Sequence, residues 1–142
     1  MKVIDANVLV HAANADAREH GSAQRWIEAA LSSGDPIGFA WIALLAFVRV
    51  TTQRGLLLRP LRIDDAFQLL GDWLSAHNAV IIHPGENHAA ILRRLLEPFG
   101  TAGNLTNDAH LAALAIEHGA DLVSFDRDFV RFEGLRTIIL KA

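Results

Sequence analysis

Short apolar runs alternate along this chain with segments in which apolar residues recur every three or four positions. A short apolar run is typical of a buried strand, and the three-to-four spacing is typical of a helix with one buried face. The runs predict five strands, at residues 2–4, 37–40, 80–82, 121–125 and 135–140. Strands that alternate with helices favour an α/β fold with a mainly parallel sheet and right-handed crossovers.

The helical spacing predicts where the intervening helices lie. We expect them at about residues 18–33, 44–51, 64–74, 88–99 and 106–118, and we expect a polar segment between the first strand and the first helix. Gly55 is predicted to be the C′ residue of a helix, immediately after its C-cap, and Asp64 or Asp65 to cap a helix N-terminus. The stripe that contains Phe67, Trp73 and Leu74 is apolar enough to serve partly as a dimer surface.

Composition narrows the class of protein. The 142 residues contain no cysteine, carry a net charge of −3 and are 51% hydrophobic, so a disordered chain, a disulfide scaffold and a cysteine zinc site are excluded. The length suits one domain over residues 1–142. The apolar stretch 36–50 is too short to span a membrane, and Asp5 and Asn7 make the N-terminus a poor signal peptide. We expect a soluble cytoplasmic protein without a membrane partner.

Three aspartates occupy positions where a carboxylate needs an explanation. Asp5 ends the first apolar strand, Asp126 follows the fourth, and Asp108 lies in the first turn of an Ala- and Leu-rich helix. Carboxyl ends of parallel strands meet at one crevice, and a helix N-terminus favours an anion. Two carboxylates about 4 Å apart repel by roughly 4 kcal/mol, so convergence would require a shared proton or a divalent cation such as Mg²⁺. The alternative is that all three are caps and turn residues.

Four segments occur together in a recognisable order: IDANVL at 4–9, LAFVRVTT at 45–52, GNLTNDAHLAALA at 103–115 and SFDRDF at 124–129. In combination they resemble the VapC-type PIN-domain ribonuclease toxins of type II toxin–antitoxin systems. The resemblance implies a PIN-like three-layer α/β/α sandwich with a mainly parallel five-stranded sheet. It also implies a Mg²⁺-dependent endoribonuclease (Mn²⁺ can substitute), a VapB-type antitoxin partner, an RNA substrate and a homodimer.

The same resemblance assigns site residues. Asp5, Asp108 and Asp126 match the family's catalytic and metal-binding acids. The positions that match polar or acidic residues beside the site are Asn7, Ser124 and Asp128. The implied reaction is attack of a metal-activated water on the phosphodiester, which leaves 5′-phosphate and 3′-hydroxyl ends.

Basic and hydroxyl side chains suggest contacts to a partner. Arg49 and Thr52 are candidates for binding an RNA phosphate or an antitoxin carboxylate, and for Arg49 a structural hydrogen bond is the alternative. An acidic chain is not expected to coat nucleic acid generally, so any such contact would be local. The seven histidines show no ligand-like spacing, and we expect no histidine metal centre.

One position departs from the family pattern. Ala46 stands where many PIN nucleases carry a glutamate, and no acid occurs between Asp35 and Asp64. The number of metal ions is therefore open. So is a second function, a degenerate PIN scaffold that binds RNA or protein without cleavage. A receiver-type phosphotransfer domain is the weaker alternative, because Lys2 and Lys141 are the only lysines and neither is placed for it.

Overall fold

A computed structural model describes the whole chain, residues 1–142, and shows five parallel strands with six α-helices around them. The strands are β1 (Lys2–Ile4), β2 (Ile37–Ala40), β3 (Ala79–Ile82), β4 (Asp121–Ser124) and β5 (Thr137–Ile139). The helices are α1 (Ala6–Ala13), α2 (His20–Leu31), α3 (Trp41–Thr52), α4 (Ile63–Leu74), α5 (His88–Leu96) and α6 (Thr106–Glu117). The sheet order is β3-β2-β1-β4-β5, and every neighbouring pair is parallel.

The three layers follow from the alternation of side chains along the central strands. Val3 and Leu122 pack into an apolar cluster with α5 and α6. Their chain neighbours Ile4 and Val123 pack into a second cluster with α1, α2, α3 and α4. Successive side chains of a strand point to opposite faces, so the two clusters lie on opposite faces of the sheet. The predicted α/β/α sandwich with a parallel five-stranded sheet is confirmed.

One predicted segment was wrong. The stretch after β1, expected to be a polar segment before the first helix, is the helix α1, in which Val8 and Leu9 are fully buried. The apolar residues of this stretch continue the run that starts in β1, so the linear pattern does not separate a strand from the helix that follows it directly. Asp5 makes the break, because its Oδ1 accepts a 2.7 Å hydrogen bond from the Ala6 N–H and caps the new helix.

Two predicted helix ends also need correction. Helix α3 ends at Thr52 with Gln53 as its C-cap, so Gly55, at φ +89°, lies in the turn beyond it. Arg62 occupies the N-cap position of helix α4 without a side-chain capping hydrogen bond. The two aspartates expected as caps lie in the first turn, where the helix dipole favours an anion. No helix is long and apolar enough to cross a membrane.

The apolar stripe of α4 divides between the core and the surface. The Trp73 ring packs 5.0 Å from the ring of Phe47 and is 8% exposed, so it belongs to the core rather than to a dimer surface. Phe67 is 50% exposed, and Ile63 on the same helix is exposed as well.

The chain order of the strands creates the crevice. Strands β2 and β3, which follow β1 in the chain, lie on one side of β1 within the sheet. The chain then crosses over, and β4 and β5 lie on the other side of β1. In open α/β sheets ligands bind where the direction of building reverses, outside the carboxyl ends of the strands. Here that point lies between β1 and β4, where Ile4, the last residue of β1, pairs with Val123 of β4. Asp5 follows immediately.

Candidate active site

An open cleft of about 490 Å³ lies at the carboxyl end of β1. Its lining includes Asp5 and Asp108, and Leu45, Ala46 and Arg49 of α3. The topology therefore brings together two of the three predicted acids, which are 103 positions apart in the chain, and one predicted phosphate contact.

Asp5 is a buried carboxylate with partners on both oxygens. Its Oδ1 accepts from the Ala6 N–H, and its Oδ2 accepts a 2.7 Å hydrogen bond from the Ser124 hydroxyl. Burial nevertheless raises the pKa of Asp5 to about 6, with smaller contributions in the same direction from the charges of Asp108 and Asp126. The two hydrogen bonds act against this shift because they stabilise the ionised form.

Asp108 lies in the first turn of α6, as predicted, with its side chain 40% exposed. Burial raises the pKa of Asp108, and the charges of Asp126 and Asp128 add to the rise, while Arg131 opposes it. The nearest guanidinium nitrogen of Arg131 is 3.7 Å from Asp108 Oδ2. The predicted acids thus share one electrostatic field, and that field favours a bound cation.

A polar network behind Asp5 contains the two other predicted polar positions. Asn7 donates through Nδ2 to the Ser124 hydroxyl oxygen at 3.1 Å, and its Oδ1 accepts from the Phe125 N–H at 3.2 Å. The same hydroxyl oxygen accepts from the Asp126 N–H at 2.9 Å. Ser124 is fully buried, so water does not compete for the hydrogen bonds of its hydroxyl group. The network fixes the Asp5 carboxylate relative to β4.

Asp126 and Asp128 form a cap rather than part of the cleft wall. Asp126 caps the short 3-10 helix Arg127–Arg131, with its Oδ1 accepting a 2.8 Å hydrogen bond from the Asp128 N–H. The turn-forming role that the sequence left open for Asp126 is therefore present in the structure. Asp126 acts on Asp5 and Asp108 through charge.

The donor set bears on the predicted metal. No group of three or more His, Asp or Glu side chains lies close enough together to hold a metal ion, so the structure does not assemble Asp5, Asp108 and Asp126 as a closed three-ligand set. Mg²⁺ in proteins is commonly held by one or two carboxylates, with waters and substrate phosphate completing its octahedron. Asp5 and Asp108 line one open cleft, and their pKa values are raised mainly by burial and further by neighbouring carboxylates. This arrangement fits that mode of binding.

The two predicted partner contacts differ in availability. Arg49 is exposed, lines the cleft and forms no ion pair with any acid of the chain, so its donors are free for a ligand. The Thr52 hydroxyl donates a 2.7 Å hydrogen bond to the Val48 carbonyl of its own helix, and Thr52 is outside the cleft lining. Arg49 is therefore accessible to a ligand in the cleft, whereas the Thr52 hydroxyl is used within its own helix.

The sequence did not predict two sets of contacts. One is the pair of Arg131 and Asp108, because the position of Arg131 five residues after Asp126 gives no sign that it lies next to Asp108. The other joins α5 to α6: Glu117 accepts from the Gly85 N–H at 2.9 Å and pairs with His88 Nδ1, and His88 Nε2 lies 2.8 Å from His110 Nδ1. The spacing of these residues in the chain, 22 and 29 positions, carries no local signal.

Comparison with known proteins agrees with the geometry. A PIN domain family model matches residues 2–135. Ribonuclease VapC37 of Mycobacterium tuberculosis (strain ATCC 25618 / H37Rv) is 53% identical over 136 residues, which cover 96% of this chain and 94% of that protein. Ribonuclease VapC43 of the same strain is 39% identical over 136 residues, with 96% and 92% covered.

Solved structures share the fold at low sequence identity. VapBC2 from Rickettsia felis, crystallised with a DNA fragment from its promoter, superposes with a TM-score of 0.71 at 22% identity, covering 99% of this chain and 98% of that one. Mycobacterium tuberculosis VapC20, described as a Sarcin-Ricin loop cleaving toxin, superposes with a TM-score of 0.64 at 17% identity, covering 96% and 99%. With its sheet order, its acidic cleft and these full-length relatives, the chain belongs to the PIN-domain family, in the group of VapC-type ribonuclease toxins.

Proposed function

We propose that this protein is a Mg²⁺-dependent endoribonuclease that acts as the toxin of a VapBC-type toxin–antitoxin pair. The observation that carries the proposal is the convergence of Asp5 and Asp108 on one cleft beside the exposed, unpaired Arg49. Two acids with raised pKa values form a site for a cation, and a neighbouring guanidinium is suited to a phosphate oxygen. The ribonuclease names of the full-length relatives point to the same reaction.

The chain's own residues have separable roles in hydrolysis. Asp5 and Asp108 hold the cation, and Asp126 and Asp128 add negative charge around it. A bound Mg²⁺ or Mn²⁺ ion supplies a positive charge that promotes ionisation of water and offsets charge on the phosphate. Ser124 and Asn7 keep the Asp5 carboxylate in one orientation, and Arg49 binds a phosphate oxygen of the RNA. The expected products carry 5′-phosphate and 3′-hydroxyl ends.

The proposed partners are a VapB-type antitoxin and a second copy of the chain. Two of the structural relatives are VapBC complexes, from Rickettsia felis and nontypeable Haemophilus influenzae. An antitoxin segment along the cleft would cover Leu45, which is 61% exposed, and could pair an acidic residue with Arg49. The exposed Ile63 and Phe67 of α4 are candidates for the homodimer contact. The proposed location is the cytoplasm, where an RNA substrate would be available.

A second function has one observation in its favour. Ala46 lines the cleft where many PIN nucleases carry a glutamate, and the acids do not form a closed three-ligand set. A degenerate scaffold that binds RNA or protein without cutting would tolerate both features.

The decisive experiment is cleavage of a pool of structured RNAs with and without Mg²⁺ or Mn²⁺. Wild type is compared with Asp108→Asn and with Asp64→Asn, a matched change at an exposed residue of α4. Metal-dependent cuts with 5′-phosphate ends, lost in Asp108→Asn and kept in Asp64→Asn, support the nuclease. Absence of cutting together with absence of divalent-cation binding by calorimetry in the wild type would favour the degenerate scaffold.

A further inference from the structure

Arg131 is the one basic side chain within ion-pair distance of the acids in the site. It ends the 3-10 helix Arg127–Arg131, and its guanidinium lies 3.7 Å from Asp108 Oδ2. Asp5, Asp126 and Asp128 have no such partner. Both side chains of the pair are partly exposed, 32% for Arg131 and 40% for Asp108, so both are accessible to a ligand bound beside Asp108.

The contact between Arg131 and Asp108 is electrostatic and loose. At 3.7 Å it is longer than a hydrogen bond, and the Arg131 guanidinium donates no hydrogen bond to any other protein group. Arg59 is different, because it forms two hydrogen bonds to Asp16, at 2.7 and 3.1 Å. The five N–H donors of Arg131 are therefore available to a ligand.

Two aromatic rings lie next to the Arg131 guanidinium. Its central carbon is 5.3 Å from the ring centroid of Phe132, which is buried, and 5.8 Å from that of Phe99. Cation–π contact of this kind orients a planar guanidinium without using its N–H donors. An arginine fixed by aromatic rings loses less conformational entropy when it binds a phosphate than a free surface arginine does.

We propose that Arg131 binds the RNA phosphate at the cleavage site. In the free protein the Arg131 guanidinium stays next to Asp108, and it becomes available to the phosphate when a divalent cation binds the Asp108 carboxylate. This inference rests on the proposed function. A cation on Asp108 weakens the Asp108–Arg131 attraction, and the phosphate then offers the guanidinium a hydrogen-bonding partner of the same charge as the one it leaves. Arg131 thereby limits repulsion among the acids in the free protein and contributes to substrate binding in the complex.

The test separates binding from cleavage. Affinity for a single-stranded 20-nucleotide RNA is measured in EDTA, in the wild type and in Asp108→Asn, where Arg131 has lost its acidic partner. Arg131→Gln should weaken binding about tenfold in the Asp108→Asn protein and less in the wild type, and it should reduce the slope of log affinity against log salt by about 1. Arg93→Gln removes an equally positive but remote and exposed charge, and should give a smaller effect that is the same in both proteins.

The affinity for Mn²⁺ provides a second test, in which Arg131→Gln should strengthen binding rather than weaken it. Because Arg131 competes for Asp108, Arg131→Gln should bind Mn²⁺ several-fold more tightly by calorimetry, whereas Arg93→Gln should not. Arg131→Lys retains the positive charge, so it should keep the salt dependence of RNA binding while losing part of the RNA affinity. Thermal melts followed by circular dichroism check that each variant folds. Unchanged RNA affinity and salt slope for Arg131→Gln in both proteins would overturn the inference.

The outcome is distinguishable from that of the proposed function. RNA cleavage by the wild type with an Arg131→Gln protein that binds normally refutes only the role of Arg131. RNA binding that depends on Arg131 in a wild type that never cleaves refutes the nuclease and leaves Arg131 as a phosphate contact of a binding scaffold. A wild type that neither binds nor cleaves RNA refutes both.

Discussion

The Ser124 hydroxyl donates a 2.7 Å hydrogen bond to Asp5 Oδ2 across the junction of β1 and β4. The two residues are 119 positions apart in the chain, and the bond joins the first acid of the cleft to the strand that carries the acidic cap Asp126. Because Ser124 is fully buried, its hydroxyl cannot exchange this bond for one to water, and the Asp5 carboxylate is held in a single orientation. That restraint underlies the first two predictions.

Replacing Asp5 by Asn should stabilise the protein at neutral pH in the absence of divalent cations. Burial raises the pKa of Asp5 from 3.8 to about 6, so the folded state binds the proton more tightly than the unfolded chain does. Stability from this group is present below pH 4 and is lost as the pH rises through 6, by up to about 3 kcal/mol. Chemical denaturation in EDTA should show Asp5→Asn gaining on the wild type from pH 4 to pH 7. A difference that is constant across that range would contradict the raised pKa.

Ser124→Ala should impair cleavage by disturbing Asp5. The hydrogen bond from Ser124 lowers the pKa of Asp5, so its loss should move the acidic limb of the rate–pH profile to higher pH. Loss of such a supporting hydrogen bond typically costs about 10–100-fold in activity or metal affinity. Ser75→Ala, on the exposed end of α4, is the control. A variant that is merely less stable, with an unshifted pH profile, would argue against this role.

Arg49→Ala should weaken RNA binding with little change in melting temperature, because Arg49 is exposed and makes no ion pair within the chain. A lost contact from a charged donor corresponds to about 1.5–3 kcal/mol of binding free energy. Filter binding or fluorescence anisotropy measures it, and Arg54→Ala provides a control at another exposed arginine. A fall in melting temperature with unchanged affinity would show a structural role instead.

Ala46→Glu should increase the affinity for Mn²⁺, because it adds a carboxylate to the cleft that Asp5 and Asp108 also line. Calorimetry should record tighter binding, and a second equivalent of metal if the added acid completes another site. Ala46→Gln is close in size and lacks the charge, so it separates electrostatics from packing. Equal affinities in the Glu and Gln variants would mean that position 46 does not face the cation.

Glu117→Ala should destabilise the protein by about 2–4 kcal/mol. The Glu117 side chain is 9% exposed, and its removal leaves the Gly85 N–H and His88 without their partner. Thermal denaturation should show a clear fall in melting temperature, whereas Glu97→Ala at an exposed residue should cause little change. Gly85→Ala should also destabilise, because its Cβ would lie 2.7 Å from Glu117 Oε2.

The central strands of the parallel sheet were predictable because both of their faces are covered. A strand buried on both faces must be apolar throughout, and every residue of β2 is buried, so its position is visible in the linear pattern. Helix α1 was not predictable by the same means. Its apolar residues follow those of β1 almost without interruption, and the break is made by one hydrogen bond from the Ala6 N–H to Asp5.

The sequence by itself determined which residue types are available: the α/β class from hydrophobic spacing, and Asp5, Asp108 and Asp126 as acids at positions where parallel strands and a helix begin or end. Tertiary structure alone decided how these acids divide, with Asp5 and Asp108 on the cleft and Asp126 capping a 3-10 helix. It alone brought Arg131 to Asp108 and Glu117 to His88. The physical reason is that hydrophobic spacing is a local property of the chain, whereas charge interactions depend on distances set by the packing of whole helices on the sheet.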